Sequence, residues 1–363
     1  KGVLVADLSC STMSLAQISP SRSFTSPFRF SGSKKATPAT DDLRLLARSF
    51  DDNLLRRLKT LAPDSRPPPI TLSWLAAVVD CISSTHAEAR SVISGLSLSV
   101  LDEPLARYLS ESVKLLDICN RVSSEIERLS HRRLLVNVSL HLIDASATNT
   151  GGPAPEKLRR ARELLADRER GFSERSGWPT AEALIRDLAA DLGRAPRRKL
   201  SGSGKLVCRT FHAVGLVTVF LSGVLVSAVF GSGEAICSVR APAEFPWAEL
   251  FNGFVSSVNG ELTRRLGSGK GPAVVVREIA EADFRVRRLC VAMDAGGGDA
   301  ASEALEEVAK AAREATASAG LDGLGNGVEG LFRTVLENRN GMVGAVWGGE
   351  EATPVGKTCR AEE

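Results

Sequence analysis

Eighteen consecutive residues, Ala213 to Phe230 (AVGLVTVFLSGVLVSAVF), carry no charge, and six basic residues without an acid lead into them: Arg194, Arg197, Arg198, Lys199, Lys205 and Arg209. A helix of this length reaches about 27 Å, slightly short of a hydrocarbon core of roughly 30 Å. The run therefore suits either a membrane span or a buried core helix. Gly215 and the series Gly223, Ser227 and Gly231 give it a stripe of small residues. Such a stripe lets helices approach closely in lipid and in a soluble bundle alike. Leu216, Phe220, Gly223 and Ser227 are the positions expected to pack against membrane or helix. For a span, the basic approach places the N-terminal side in the cytosol.

Around this run the chain reads as helix. Of its 363 residues 43% are apolar, enough for a real core, but only 5% are aromatic. Core packing must then fall to aliphatic side chains at helical spacing. The fold expected is all-α: an elongated helical bundle with one strongly apolar central helix able to span or dip into a membrane. Residues 1–39 form a Ser-rich basic arm that reads as disordered, as a transit peptide, or as an extension upstream of Met13. Ser19-Pro20, Ser26-Pro27 and Thr37-Pro38 are candidate phosphorylation sites within it.

Residues 40–144 read as an N-terminal bundle, 145–205 as linker and charged helices, 206–232 as the apolar helix, 233–348 as C-terminal helices and 349–363 as a disordered tail. In the bundle, Thr40 caps a helix with Leu43, Ala47, Phe50, Leu54, Leu58 and Leu61 on one face. Thr71 caps a second, with Leu72, Leu75, Val79, Ile82, Ala89 and Ile93 inward. A third is predicted over 104–129, with Leu105, Leu109, Val113, Leu116, Asn120 and Ile126 inward or at its boundary, and a separate fourth holds Leu134, Leu135, Val138 and Leu142.

Motifs for chemistry are missing where they would be expected. The elements Ser201-Gly202-Ser203-Gly204-Lys205 and Gly267-Ser268-Gly269-Lys270-Gly271 lack the first glycine and the Ser or Thr of a phosphate loop, and read as flexible linkers. His86, His131, His141 and His212 have no partners at metal-ligand spacing and read as core or boundary residues. Glu111, Asp117, Glu125 and Glu127 lie among Lys114, Arg121 and Arg128 as surface ion pairs. The seven cysteines form no CxxC pair and read as buried thiols. A net charge of +3 supplies no global field for nucleic acid. No catalytic, cofactor-binding or metal-binding residue is expected, no cofactor, and no nucleic-acid partner.

Two strings carry a resemblance. Leu72-Ser73-Trp74-Leu75-Ala76-Ala77-Val78-Val79-Asp80 with Thr85-His86, and Tyr108-Leu109-Ser110-Glu111-Ser112-Val113-Lys114-Leu115-Leu116-Asp117-Ile118-Cys119-Asn120, resemble the plant BYPASS-like family. The likeness returns at Leu321-Asp322-Gly323-Leu324-Gly325 and at Leu331-Phe332-Arg333-Thr334-Val335-Leu336. It implies a non-enzymatic developmental regulator that limits a root-derived mobile growth-arrest signal, thought to be carotenoid-related. A sister branch, the ROH-type proteins, is associated with the exocyst, which implies an adaptor in secretion with an exocyst subunit as partner. An enzyme or carrier for a small apolar metabolite is the remaining alternative. The expectation is membrane association, mainly on the cytosolic face, with chloroplast or soluble cytosol as alternatives. Trp74, Lys114 and Asp117, inside the motifs, are the candidate partner surface.

Overall fold

The computed structural model describes residues 40–62, 68–94, 96, 103–147, 155–170, 180–193, 202–267, 275–294, 307–313 and 320–347. All of them lie in one compact unit, Thr37–Glu363. The Ser-rich arm, residues 349–363, the four basic residues from Arg194 to Lys199, and Gly269 to Gly271 lie outside the described residues. The helices are α1 (Thr40–Leu61), α2 (Leu72–Ser94), α3 (Glu103–Ala147), α4 (Pro155–Arg170), α5 (Ala181–Leu192) and α6 (Gly202–Phe230). A 3-10 turn (Gly233–Ala235) follows, then α7 (Ala248–Leu266), α8 (Arg277–Asp294), α9 (residues 307–313) and α10 (Gly320–Trp347). Among the described residues there is no strand, and the all-α expectation holds.

Local chemistry sets several boundaries. Asp41 and Asp42 sit in the first turn of α1 and Lys59 in its last, each matching the helix dipole. Thr71 caps α2, its Oγ1 accepting from the Trp74 amide at 3.1 Å, and Glu278 of α8 accepts from the Leu72 amide at 3.3 Å. These caps satisfy backbone donors that no helical carbonyl can reach. Gly231, at φ 65°, ends α6 in the left-handed conformation that glycine adopts without steric cost.

The apolar run forms most of α6, and 94% of its most apolar eighteen-residue window is buried. Helices α1, α2, α3, α5 and α7 and the 3-10 turn all pack on it. By length and composition α6 remains able to cross a membrane; in this structure protein covers its sides. The small-residue stripe explains the close fit. A Cβ on Gly223 would lie 2.6 Å from the Ala235 carbonyl oxygen, and one on Gly215 would lie 2.6 Å from Leu192 Cδ2. Phe220 meets Phe251 and Phe254 of α7 edge-on, with ring centroids 5.6 and 5.4 Å away. Helix α10 packs on α2 and α3, so the C-terminal helix meets the N-terminal ones directly.

Three readings need correction. The predicted third and fourth helices are one helix of 45 residues, about 68 Å long, because the polar stretch Ser130–Arg133 contains neither glycine nor proline to break it. Its inner face is also rotated from the predicted one. Val113 and Asn120 are exposed, while Tyr108, Leu115, Ile118, Cys119 and Val122 are buried. Gly202 to Lys205 form the first turn of α6 and not a linker.

Helix α3 is long enough to enter two cores. Its first half joins α1, α2, α5, α6, α7 and α10 in the main core. Its second half supplies Val136, Leu140 and Ile143 to a separate cluster with Ala161 and Leu165 of α4, Val286, Leu289 and Met293 of α8, and α9.

Candidate functional site

Several polar groups buried in the main core converge where α2, α3, α6 and α10 meet. His86 follows Ile82 by four residues and precedes Ala89 by three, so the spacing that buries those aliphatic side chains also buries the imidazole. Its Nδ1 lies 3.0 Å from the Tyr108 hydroxyl on α3, and its Nε2 lies 2.9 Å from Thr218 Oγ1 on α6. A neutral imidazole has one donor and one acceptor nitrogen, and either hydroxyl can supply the complement. Asn338 of α10 donates to the His86 carbonyl at 2.8 Å, and Ser83 donates to Thr334 Oγ1 at 3.0 Å. Arg339 donates to the Leu109 carbonyl and, at 3.3 Å, to Ser112 Oγ. Tyr108 also stacks on Phe211, with centroids 4.5 Å apart.

Burial fixes the protonation states. It lowers the His86 pKa to about 4 and raises that of Tyr108 to about 12. Both groups are neutral at physiological pH, as a low-dielectric surrounding requires. The arrangement is a hydrogen-bonded crosslink among four helices.

A small cavity, about 10 Å³ and so roomy enough for one water, adjoins this crosslink. His86, Tyr108, Thr218, Leu188, Leu192 and Glu111 are among its lining residues. Glu111 Oε1 is buried without a hydrogen-bond partner among the described residues. Burial raises its pKa to about 7, Arg107 and Lys114 oppose the rise, and Asp191 adds to it. The surface ion-pair reading of Glu111 is therefore corrected: the rotation of α3 that buries Tyr108 and Ser112 also turns Glu111 toward α5 and α6. Glu125 does form its expected pair with Arg128, although Glu125 itself is buried.

A second polar cluster ties α1 to α6 and α7. Asp51, buried in α1, accepts from Arg209 at 2.8 and 3.0 Å and from the Trp247 indole at 3.0 Å. The Arg209 guanidinium also lies 4.4 Å from the centroid of the Phe245 ring. Arg209, part of the basic approach to the apolar run, is thus committed to an internal carboxylate. Sequence reasoning had no means to pair Asp51 with Arg209 across 158 residues.

The residues singled out beforehand do not form one constellation. Trp74 is half-buried, donates to the Leu61 carbonyl at 3.1 Å and meets Phe254 edge-on. Lys114 reaches Asp191 of α5 at 2.8 Å, and Asp117 is exposed. Leu216, Phe220, Gly223 and Ser227 are all buried in α6. Cys81, Cys119 and Cys290 are buried thiols outside any disulfide, and Cys208 and Cys237 are half-buried ones. Among the described residues no three His, Cys, Asp or Glu side chains converge to hold a metal.

The profile of the family described as Protein ROH1-like matches residues 31–177, which take in α1 to α4. Protein BPS1, chloroplastic, from Arabidopsis thaliana is similar well beyond that stretch: 28% identical over 324 residues, covering 88% of this chain and 88% of that protein. The chain belongs to the BYPASS/ROH1-like plant family. UPF0496 protein 4 of Oryza sativa subsp. japonica is 34% identical over 257 residues, 69% of this chain and 54% of its own length. The chain thus spans about half of that rice protein. Protein ROH1D of Arabidopsis thaliana is 24% identical over 142 residues, 37% of this chain and 36% of that one. No solved structure matches the chain significantly. For this family member, the first resemblance string forms the α2 face that carries His86, and the second forms the α3 face that carries Tyr108 and Glu111.

Proposed function

We propose that this chain is a plant developmental regulator that acts through protein and membrane contacts, without catalysis, to limit a root-derived mobile growth-arrest signal. Membership of the BYPASS/ROH1-like family supports the developmental reading. The enclosure of α6 carries the mechanistic part: a helix wrapped by five others serves as the keel of a folded bundle, and the bundle meets a membrane with its surface. His86 favours the same reading, since both its nitrogens are held by hydroxyls and burial keeps it neutral. The cytosolic face of a membrane is the proposed location, and the chloroplast, to which the name of the BPS1 relative refers, is the alternative.

Fractionation tests the mechanism. With a tag at each end, the protein in plant cells should leave membranes on carbonate washing, and both tags should be open to protease on one side. Carbonate resistance with the tags on opposite sides would mean that α6 spans, and recovery inside intact chloroplasts would refute the cytosolic placement. Expression in Arabidopsis lacking BPS1 tests the developmental role, with restored shoot growth expected; unchanged arrest despite stable protein would count against it.

A further inference from the structure

The second core leaves one helix with an unusual outer surface. Helix α8 buries Val286, Leu289, Cys290 and Met293 on its inner side. On its outer side Phe284 is 54% exposed and Val291 is 69% exposed. Arg277, Phe284, Arg288 and Val291 follow one another at spacings of seven, four and three residues, so they form a single stripe along the helix. Arg287 flanks that stripe and is exposed.

The charges on this helix are unequally committed. Glu278 accepts from the Leu72 amide, Glu281 from Arg285 at 2.6 Å and Asp294 from Arg162 at 2.9 Å, while Asp283 is buried. Arg277, Arg287 and Arg288 have no ion-pair partner among the described residues. The exposed stripe therefore carries net positive charge alongside two bulky apolar side chains.

We propose that the outer face of α8 docks on an anionic lipid surface. Guanidinium groups donate to phosphate and carboxylate headgroups, while Phe284 and Val291 enter the boundary between headgroups and acyl chains. A protein partner is disfavoured by area. A stable interface buries about 800 Å² per partner around a central apolar cluster, and two apolar residues two turns apart do not provide one. A lipid surface conforms to the stripe and needs no matching pocket. This inference rests on the peripheral-membrane reading above and assigns it a face.

Sedimentation of the full-length protein with vesicles tests it. Phosphatidylcholine vesicles containing about one-third phosphatidylserine should bind the protein, and pure phosphatidylcholine vesicles should not. Each arginine near such a surface contributes about fivefold in partition, so Arg287→Ala with Arg288→Ala should weaken binding about twenty-five-fold. Phe284→Ser with Val291→Ser should also weaken it, whereas Leu45→Ser, an exposed apolar site on α1, should not. All these positions are exposed, so unchanged thermal melts are expected to show that the variants fold. If the protein binds anionic vesicles and the α8 variants bind as well as the parent, the α8 assignment falls and the peripheral reading survives. Binding to neither vesicle overturns both. Equal binding to the two vesicle types, or an equal loss with Leu45→Ser, overturns the charge-directed docking.

Discussion

Replacing Glu111 by Gln should stabilise the protein, and the gain should depend on pH. Burial holds the Glu111 pKa at about 7 against an ordinary value of 4.5. Between these values the folded chain retains a proton that the unfolded chain has lost, so stability falls as pH rises through that window. The full cost, about 3 kcal/mol as an upper figure, is present above pH 7 and absent below pH 4.5. Gln has nearly the same shape and no charge to desolvate. The difference in unfolding free energy between variant and parent should then climb from near zero at low pH towards that figure at pH 8. His86 adds a slope of opposite sign: its pKa falls to about 4 from 6.5, so stability rises with pH across that range. The two slopes nearly cancel in the parent protein, and Glu111→Gln should unmask the rise. Urea unfolding of both proteins at several pH values between about 4 and 8 measures this. A stability difference that stays constant with pH would refute the buried-carboxyl reasoning.

Other substitutions probe the packing. Gly223→Ala should destabilise by about 1–2 kcal/mol in chemical denaturation, because the new methyl meets the Ala235 carbonyl oxygen. Gly253→Ala, with no atom of the described residues within 4 Å of its Cβ position, should instead gain about 1 kcal/mol of helix propensity. Asp51→Ala strands the Arg209 guanidinium and the Trp247 indole, and should cost about 3 kcal/mol with a lowered Tm. Ser227→Ala removes a buried hydroxyl that has no hydrogen-bond partner among the described residues, and a gain of about 1 kcal/mol is expected in the same assay.

Short-range patterns carried much of the fold. The inward face of α2 follows directly from apolar spacing, and the Thr71 cap follows from residue type. Spacing alone failed on α3, where alternative faces carry similar numbers of aliphatic residues; only the neighbours decide that Leu115 and Ile118 turn in while Val113 turns out. The candidate site was less legible. Thr218 lies 132 residues beyond His86, and Asn338 lies 252 beyond it. One clue was available: Tyr108 is the sole tyrosine of the chain and sits within a resemblance string. Glu111 was misread because Lys114, Arg121 and Arg128 share its helix, and helical spacing suggests pairing before it suggests burial.

The packing of α10 on α2 also sets an order of events during synthesis. Helix α6 leaves the ribosome before α7, which packs on it directly, and α10, which closes the main core over α2 and α3, have been made. For that interval the nascent chain presents a long apolar helix whose eventual cover is incomplete, the kind of surface that chaperones and membrane-targeting factors recognise. Burial of α6 as the keel is then a race between translation of residues 233–266, which supply its remaining direct cover, and capture of the exposed helix. Slowing synthesis downstream of α6 should shift the balance towards the membrane.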